Sequence, residues 1–302
     1  MKTAIECIPC FFRQAIEAAD LIGARDREKK AILDRVAQAV PEFPLSATPP
    51  EMGQRIHAIV REVAGSDDPY ASLKRESHKQ AMAVYGRCRD TIKRSRDALR
   101  TAVELAIAGN IIDFGARSFF DVGEEIEKIL RREKREIKKE DGGCFQYGFF
   151  MEQLSSAHNI LYLADNVGET VFDRLLIELI SARYPRKQIC YAVRGFPVLN
   201  DAVAMDACNA GIDAYARIIS NGYDAPGTIL EKSSPAFRRL FRSADLIISK
   251  GQGNFESLSG RKRPRIFFLF MVKCKVVARQ LNCEEGAIML TSNRGTDQDC
   301  AG

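Results

Sequence analysis

The sequence predicts an α/β protein, a three-layer core with a mainly parallel sheet, preceded by a helical region. Three observations predict it. Five short apolar runs stand at Ile160–Ala164, Ile189–Val193, Ala216–Ser220, Leu246–Ser249 and Ile266–Phe270. Strands that are apolar along their whole length are buried on both faces, as in parallel sheets covered by crossover helices. Helical-looking segments lie between most of these runs, the alternation expected of βαβ units. The first half repeats its apolar residues at the helical period instead. The expected organisation is a helical domain over residues 1–145 and an α/β core over residues 146–302, with no flexible linker between them.

The helical elements follow in order. "CFFRQAIEAADLIG" spaces Phe11, Ala15, Ala18 and Leu21 by three or four residues, and "REKKAILDRVAQAV" does the same with Ile32, Val36 and Val40. The proline-rich break "PEFPLSATPP" leads into "PEMGQRIHAIVREVAG", which opens on proline and closes on Gly65, as helices commonly do. "SLKRESHKQAMAVYGRCRDTIKRS", "ALRTAVELAIAG" and the charged "EEIEKILRREKREIKKED" read as further helices, the last with a solvated face.

Composition narrows the function. The 302 residues are 46% hydrophobic and 28% charged, the balance of a soluble globular protein. A net charge of +5 suits anionic substrates, but it is spread too thinly for a nucleic-acid partner. The N-terminus lacks the apolar stretch of a secretory signal, and "IFFLFMV" (Ile266–Val272) is too short to span a bilayer, so no membrane partner is expected. Nine cysteines without a signal suggest free thiols in a cytoplasmic setting.

The chemistry gathers where the strands end. The first run ends in Asp165-Asn166, followed by Gly168-Glu169. The second leads into Arg194 and then Asn200-Asp201. The third ends at Ser220, Asn221 and Asp224, and the fourth at Lys250, Gly251, Gly253, Asn254 and Glu256. In open α/β sheets ligands bind beyond the carboxyl ends of the strands, where these groups would converge. Asp165, Asn166 and Asp201 offer hard oxygen donors suited to Mg²⁺ or Mn²⁺. Lys250 supplies a positive charge for a phosphate, and Gly251 and Gly253 allow an anion to approach the backbone. His158 precedes its strand and falls at the opposite end. Each residue also has a plainer role: Asp165 as a helix cap, Glu169 as complement to a helix dipole, Lys250 as a solvated strand end, Asn200-Asp201 as a turn. Their coincidence at one edge favours phosphate chemistry.

Four stretches in this order, "DNVGETVFD", "RGFPVLNDAV", "SNGYDAPGT" and "SKGQGNFESL", resemble the damage-control phosphatases, first catalogued as domain of unknown function eighty-nine. "CIPCFFRQA", "DPYASLK", "AIAGNIIDFG" and "FFLFMVKCKVVA" extend the resemblance from about Ile5 to Leu290, and the N-terminal cysteine pair resembles the prokaryotic branch. The resemblance implies a Rossmann-like α/β/α core and a divalent metal (Mn²⁺, Mg²⁺, Co²⁺ or Ni²⁺) on the residues matching Asp165, Asn166 and Asp201. It implies that Lys250 contacts the phosphate, with Glu169, Asn254 and Glu256 around the site. It brings Asn110 and Asp113 toward the pocket from the helical side. The expected substrate is a small phosphorylated metabolite. Lys275 stands where the family pattern has a proline, and Ser77 or His78 where it has an asparagine; both bear on substrate choice. Either a water or Asp165 itself is a candidate nucleophile.

Two other classes compete. A methyl donor of the S-adenosyl type needs a glycine-rich turn after the first strand, whereas "ADNVGE" has one glycine and acids that repel the donor's carboxylate. "KGQGNFE" misses the third glycine of a dinucleotide fingerprint. A non-catalytic reading rests on Cys7-x-x-Cys10, which with Cys274 forms a candidate second metal or thiol site; the plainer reading is buried core thiols.

Overall fold

The computed structural model describes residues 1–109, 144–262 and 265–293. The expectations for Asn110, Asp113 and the charged segment near residues 124–141 lie outside the described residues.

Three helices come first: α1 (Cys7–Leu21), α2 (Asp26–Ala39) and α3 (Pro49–Ala64). Phe11, Ala15, Ile32, Val36, Met52, Ile56 and Val60 form their shared core, with Tyr70 packed on it. Leu21, expected inside, is largely exposed, and Ala19 takes its place in the core. Local chemistry sets the ends of α3. Pro49 and Pro50 open it, the Thr48 N–H donates to the Glu51 carboxylate at 2.7 Å, and Gly65 closes it at φ +61°.

Helices α4 (Ala71–Arg94), α5 (Ala98–Ala108) and α6 (Tyr147–Ser156) follow, and they belong to a different core. Val84, Cys88, Leu105 and Phe150 are buried together with Ile160, Tyr162 and Phe172 of the α/β part. The change of composition near residue 145 is therefore not the packing boundary. The separate helical unit ends near Tyr70, because α4 and α5 carry apolar faces that only the sheet can cover.

The sheet has six strands among the described residues, in the order β3-β2-β1-β4-β5-β6. They are β1 (Asn159–Leu163), β2 (Gln188–Val193), β3 (Arg217–Ser220), β4 (Leu246–Lys250), β5 (Arg265–Met271) and β6 (Ile288–Ser292). The first five run parallel, and β6 pairs antiparallel with β5, Leu269 opposite Leu290. The five predicted strands are present; β6 is an edge strand that "IMLTS" signals weakly. Between the strands lie α7 (Glu169–Arg183), α8 (Ala204–Asn209), α9 (Pro235–Ser243), α10 (Gln252–Leu258) and α11 (Lys275–Gln280). Alternate residues of β1 serve opposite faces: Ile160 and Tyr162 join the core under α4–α7, while Leu161 and Leu163 join the core under α9–α11. Each fully buried leucine contributes about 1.5–3 kcal/mol, so the strand is fixed from both sides.

Strand β1 has β2 on one side and β4 on the other, so the connections leaving it diverge and open a crevice at the carboxyl ends. Helix α3 lies over this edge. Arg61 donates to the Pro197 carbonyl at 3.0 Å and pairs with Asp224 at 2.5 Å, and Gly53 is packed so closely on Pro226 that a Cβ would sit 2.8 Å from its ring.

Candidate active site

The loop after β1 places Asp165 and Asn166 in the crevice. A short antiparallel bridge fixes them: Asn166 pairs with Asp201, the Val167 N–H donates to the Asn200 carbonyl at 2.9 Å, and the Ala202 N–H to the Asp165 carbonyl at 2.8 Å. Residues 35 positions apart are thus brought side by side by the backbone alone.

Two buried cations organise the acids. Arg194, just beyond β2, donates from Nε to Asp201 at 2.6 Å and from Nη2 to Asp165 at 3.5 Å. Its Nη1 reaches Thr228 and Asn254. Lys250, the last residue of β4, donates to Glu169 at 2.9 Å and to Asp173 at 2.7 Å. Glu169 and Asp173 stand one turn apart on α7 and so present both carboxylates on one face. Glu169 also accepts from the Asn166 amide at 2.8 Å, tying the lysine to the candidate ion ligands.

Among the described residues, the four buried carboxylates Asp165, Glu169, Asp173 and Asp201 pair with the buried cations Lys250 and Arg194. Burial, followed by Glu169 and Asp201, pushes the Asp165 carboxyl well above the usual range, against Arg194 and the exposed Lys273. Burial also raises Asp201, with Arg194 opposing. Burial works to lower the Lys250 pKa, but Asp173 and Glu169 outweigh it and hold it above the ordinary lysine value. Hard oxygen donors crowded in a buried site, where burial pushes both Asp165 and Asp201 upward, fit a divalent cation. Asp165, Asp201 and Asn166 are the donors placed to hold one; the Asn166 amide must then turn its oxygen inward, because its nitrogen now faces Asp165 and Glu169. Among the described residues, no three His, Cys, Asp or Glu side chains form a group that could hold an ion, so an ion here would need the Asn166 oxygen as a further donor.

The relatives of this chain identify its family. The family description "Damage-control phosphatase ARMT1-like domain" matches residues 3–289. The chain belongs to the damage-control phosphatase family. A damage-control phosphatase of Pyrococcus horikoshii is 35% identical over 297 residues, covering 97% of this chain and 99% of that one. A damage-control phosphatase of Archaeoglobus fulgidus is 32% identical over 291 residues, covering 95% and 97%. An uncharacterized protein of Methanocaldococcus jannaschii is 35% identical over 293 residues, covering 95% and 94%. The crystal structure of a Pyrococcus horikoshii protein of this family superposes with a TM-score of 0.85 at 34% identity, covering 97% of this chain and 99% of that one.

Within this family member, several expected ligand contacts turn out to be scaffold. The Asn221 side chain accepts from the Tyr223 N–H at 2.9 Å and closes a turn. Asn254 is fully buried; it donates to the Ala164 and Lys250 carbonyls and clamps β1 to β4. Gly253 lies against Pro226, whose carbonyl oxygen a Cβ would meet at 2.1 Å, and the Gly251 N–H is committed to the Leu269 carbonyl. Both glycines are required by close packing. Glu256 bonds Gln252 at 2.8 Å near the Met1 amino group, and burial pushes its pKa up to about 7.

Cys7, Cys10 and Cys274 do come together around Glu256. Gln252 links Glu256 to the Cys274 sulfur, and Glu256 and Cys274 add to the burial that raises the Cys7 and Cys10 thiols. Burial pushes the Cys7 and Cys10 thiols up, which disfavours reactive thiolates.

Four contributors escaped the sequence reading: Asp173, Tyr162, Tyr191 and Thr228. Asp173 had a usable signal, since it follows Glu169 by four residues on a helix.

Proposed function

We propose that this chain is a metal-dependent phosphatase that hydrolyses phosphomonoesters of small metabolites, such as sugar phosphates or phosphorylated cofactor precursors. The observation that carries this reading is the set of four buried carboxylates gathered at the carboxyl ends of the strands beside a buried lysine. A divalent cation at Asp165, Asn166 and Asp201 would supply charge neutralisation for the phosphoryl group and a lowered pKa for a bound water. The chain's own residues do the rest. Lys250 has three N–H donors; Glu169 and Asp173 take two, and the third remains for a phosphoryl oxygen. Arg194 holds Asp165 and Asp201 side by side and stays inside the scaffold, at 2% exposure. Glu169 uses one oxygen on Lys250 and the other on Asn166, so it positions the two groups that grip ion and phosphate.

A cleft of about 300 Å³ between α4 and α8, lined by Asp68, Lys74, Arg75, His78, Met205 and Asp206, offers room for the leaving group. Lys74, which lines the cleft, also acts electrostatically on Asp201, which favours this cleft for the leaving group. Its size and mixed charge suit a small polar metabolite. A second cleft, of about 240 Å³, lies at the opposite end of β1 and β2 and contains none of these acids.

The test is release of inorganic phosphate from p-nitrophenyl phosphate and a panel of sugar phosphates, in metal-stripped protein and after adding Mn²⁺, Mg²⁺, Co²⁺ or Ni²⁺ singly. Cation-dependent release is expected. Folded protein that releases no phosphate from any of them contradicts the reading. The methyl-donor alternative gains nothing from the geometry, since buried carboxylates stand where the donor's carboxylate would have to sit.

A further inference from the structure

Asp173 is fully buried, and both its oxygens are taken. Oδ1 accepts from Lys250 at 2.7 Å and from the Tyr162 hydroxyl at 2.7 Å, and Oδ2 accepts from the Tyr191 hydroxyl at 2.7 Å. The two tyrosines are direct partners in the β1–β2 register, and their rings stack with centroids 5.3 Å apart. A carboxylate gripped by two hydroxyls on rigid strands has almost no freedom, and Lys250 inherits that rigidity. Buried hydroxyls cost desolvation unless they are bonded, and both of these tyrosine hydroxyls are bonded to Asp173.

We propose that Asp173 is a positioning residue: braced by Tyr162 and Tyr191, it fixes the Lys250 ammonium with its third N–H aimed into the crevice. The inference rests on the phosphatase reading for its kinetic part only. The charged and titratable groups facing Lys250 are Glu169 and Asp173 of α7, with Tyr162 of β1 and Tyr191 of β2 behind Asp173. Glu169 alone cannot do the same work, because its other oxygen is shared with Asn166 and would follow any movement of the ion ligands.

The experiment measures kcat and KM against pH for wild type, Asp173→Asn, Tyr162→Phe/Tyr191→Phe, and Asp173→Asn with Lys250→Arg. It is paired with ¹⁵N NMR of the lysine Nζ in ligand-free protein, with Lys250→Arg as the assignment control. The expected result for Asp173→Asn is a loss in kcat/KM of about 10-fold or more, with an alkaline limb moved at least one pH unit downward. Lys250→Arg added to it should remove that limb, because a guanidinium does not titrate there. The double tyrosine variant should show a smaller loss in the same direction. The NMR signal of Lys250 should lose its proton at lower pH in Asp173→Asn than in wild type. A folded Asp173→Asn variant with the wild-type pH profile and the wild-type Lys250 titration overturns the proposal. If Asp173→Asn does not fold, the double tyrosine variant decides on the same two readouts. Wild-type protein inactive on every phosphate ester would sink the phosphatase reading, while the NMR titration would still decide the link between Asp173 and Lys250.

Discussion

Gly251 stands directly against the Asp165 carboxylate: a Cβ at Gly251 would lie 2.0 Å from Asp165 Oδ2. Its φ of +80° is a conformation that other residues rarely adopt. The glycine that follows the lysine is therefore dictated by the acid that follows β1. Gly251→Ala should push the Asp165 carboxylate away from its place beside Arg194. We expect a loss of activity of 100-fold or more and a destabilisation of about 2 kcal/mol or more, checked by phosphate release and urea unfolding.

Asp165→Asn should stabilise the metal-stripped protein while removing its activity. The substitution deletes a carboxylate whose charged form burial and neighbouring acids disfavour, and Arg194 keeps its stronger partner in Asp201 at 2.6 Å. The folded-state pKa of Asp165 lies above its unfolded value, so the folded state binds the extra proton, and cation-free stability from this group rises as pH falls. The asparagine variant should lose that pH dependence and melt about 3 °C higher at pH 7. A lower melting temperature for the metal-stripped variant would refute this burial penalty on the Asp165 charge.

His57 carries the opposite dependence. It is buried, its Nδ1 lies 2.8 Å from the Tyr70 hydroxyl, and burial, helped by Arg61, pushes its pKa down to about 3. The unfolded chain binds a proton near pH 6.5 that the folded chain refuses until about pH 3. Stability from this residue is thus complete above about pH 6.5 and falls by about 1.4 kcal/mol per pH unit below it. Urea unfolding of wild type and His57→Gln at pH 7 and pH 5 measures it; the wild type should lose more stability between the two.

Asn221 and Glu256 separate scaffold from chemistry. Asn221→Ala should cost about 1 kcal/mol, the value of the turn bond to Tyr223, yet leave kcat/KM within about threefold. Glu256→Gln should likewise spare activity, because its bond is to Gln252. A 100-fold loss in either variant would return that residue to the substrate site.

The sheet was legible because its strands are apolar throughout, and the site because Asp165, Asp201 and Lys250 interrupt those runs at one edge. What the sequence hid was depth. Nothing in "SNGYD" distinguishes an asparagine that closes a turn from one that binds substrate. Nothing in "GQGN" says that Gly253 yields to the Pro226 carbonyl rather than to an anion. Asp173 was legible only as the end of a helical turn, since its partners Tyr162 and Tyr191 come from two strands whose register the sequence does not state. The domain boundary was misplaced for a similar reason. Composition changes near residue 145, but packing changes near Tyr70, where α4 begins to cover the sheet.

The central claim is that the crevice at β1 and β4 holds a divalent cation on Asp165, Asn166 and Asp201. Calorimetric titration of metal-stripped protein with Mn²⁺ tests it most directly, beside Asp165→Ala and Asp201→Ala shown to be folded. The account expects one ion per chain in the wild type and binding weakened 100-fold or more in both variants. Wild-type protein that takes up no ion, or variants that bind it as tightly as wild type, would contradict it.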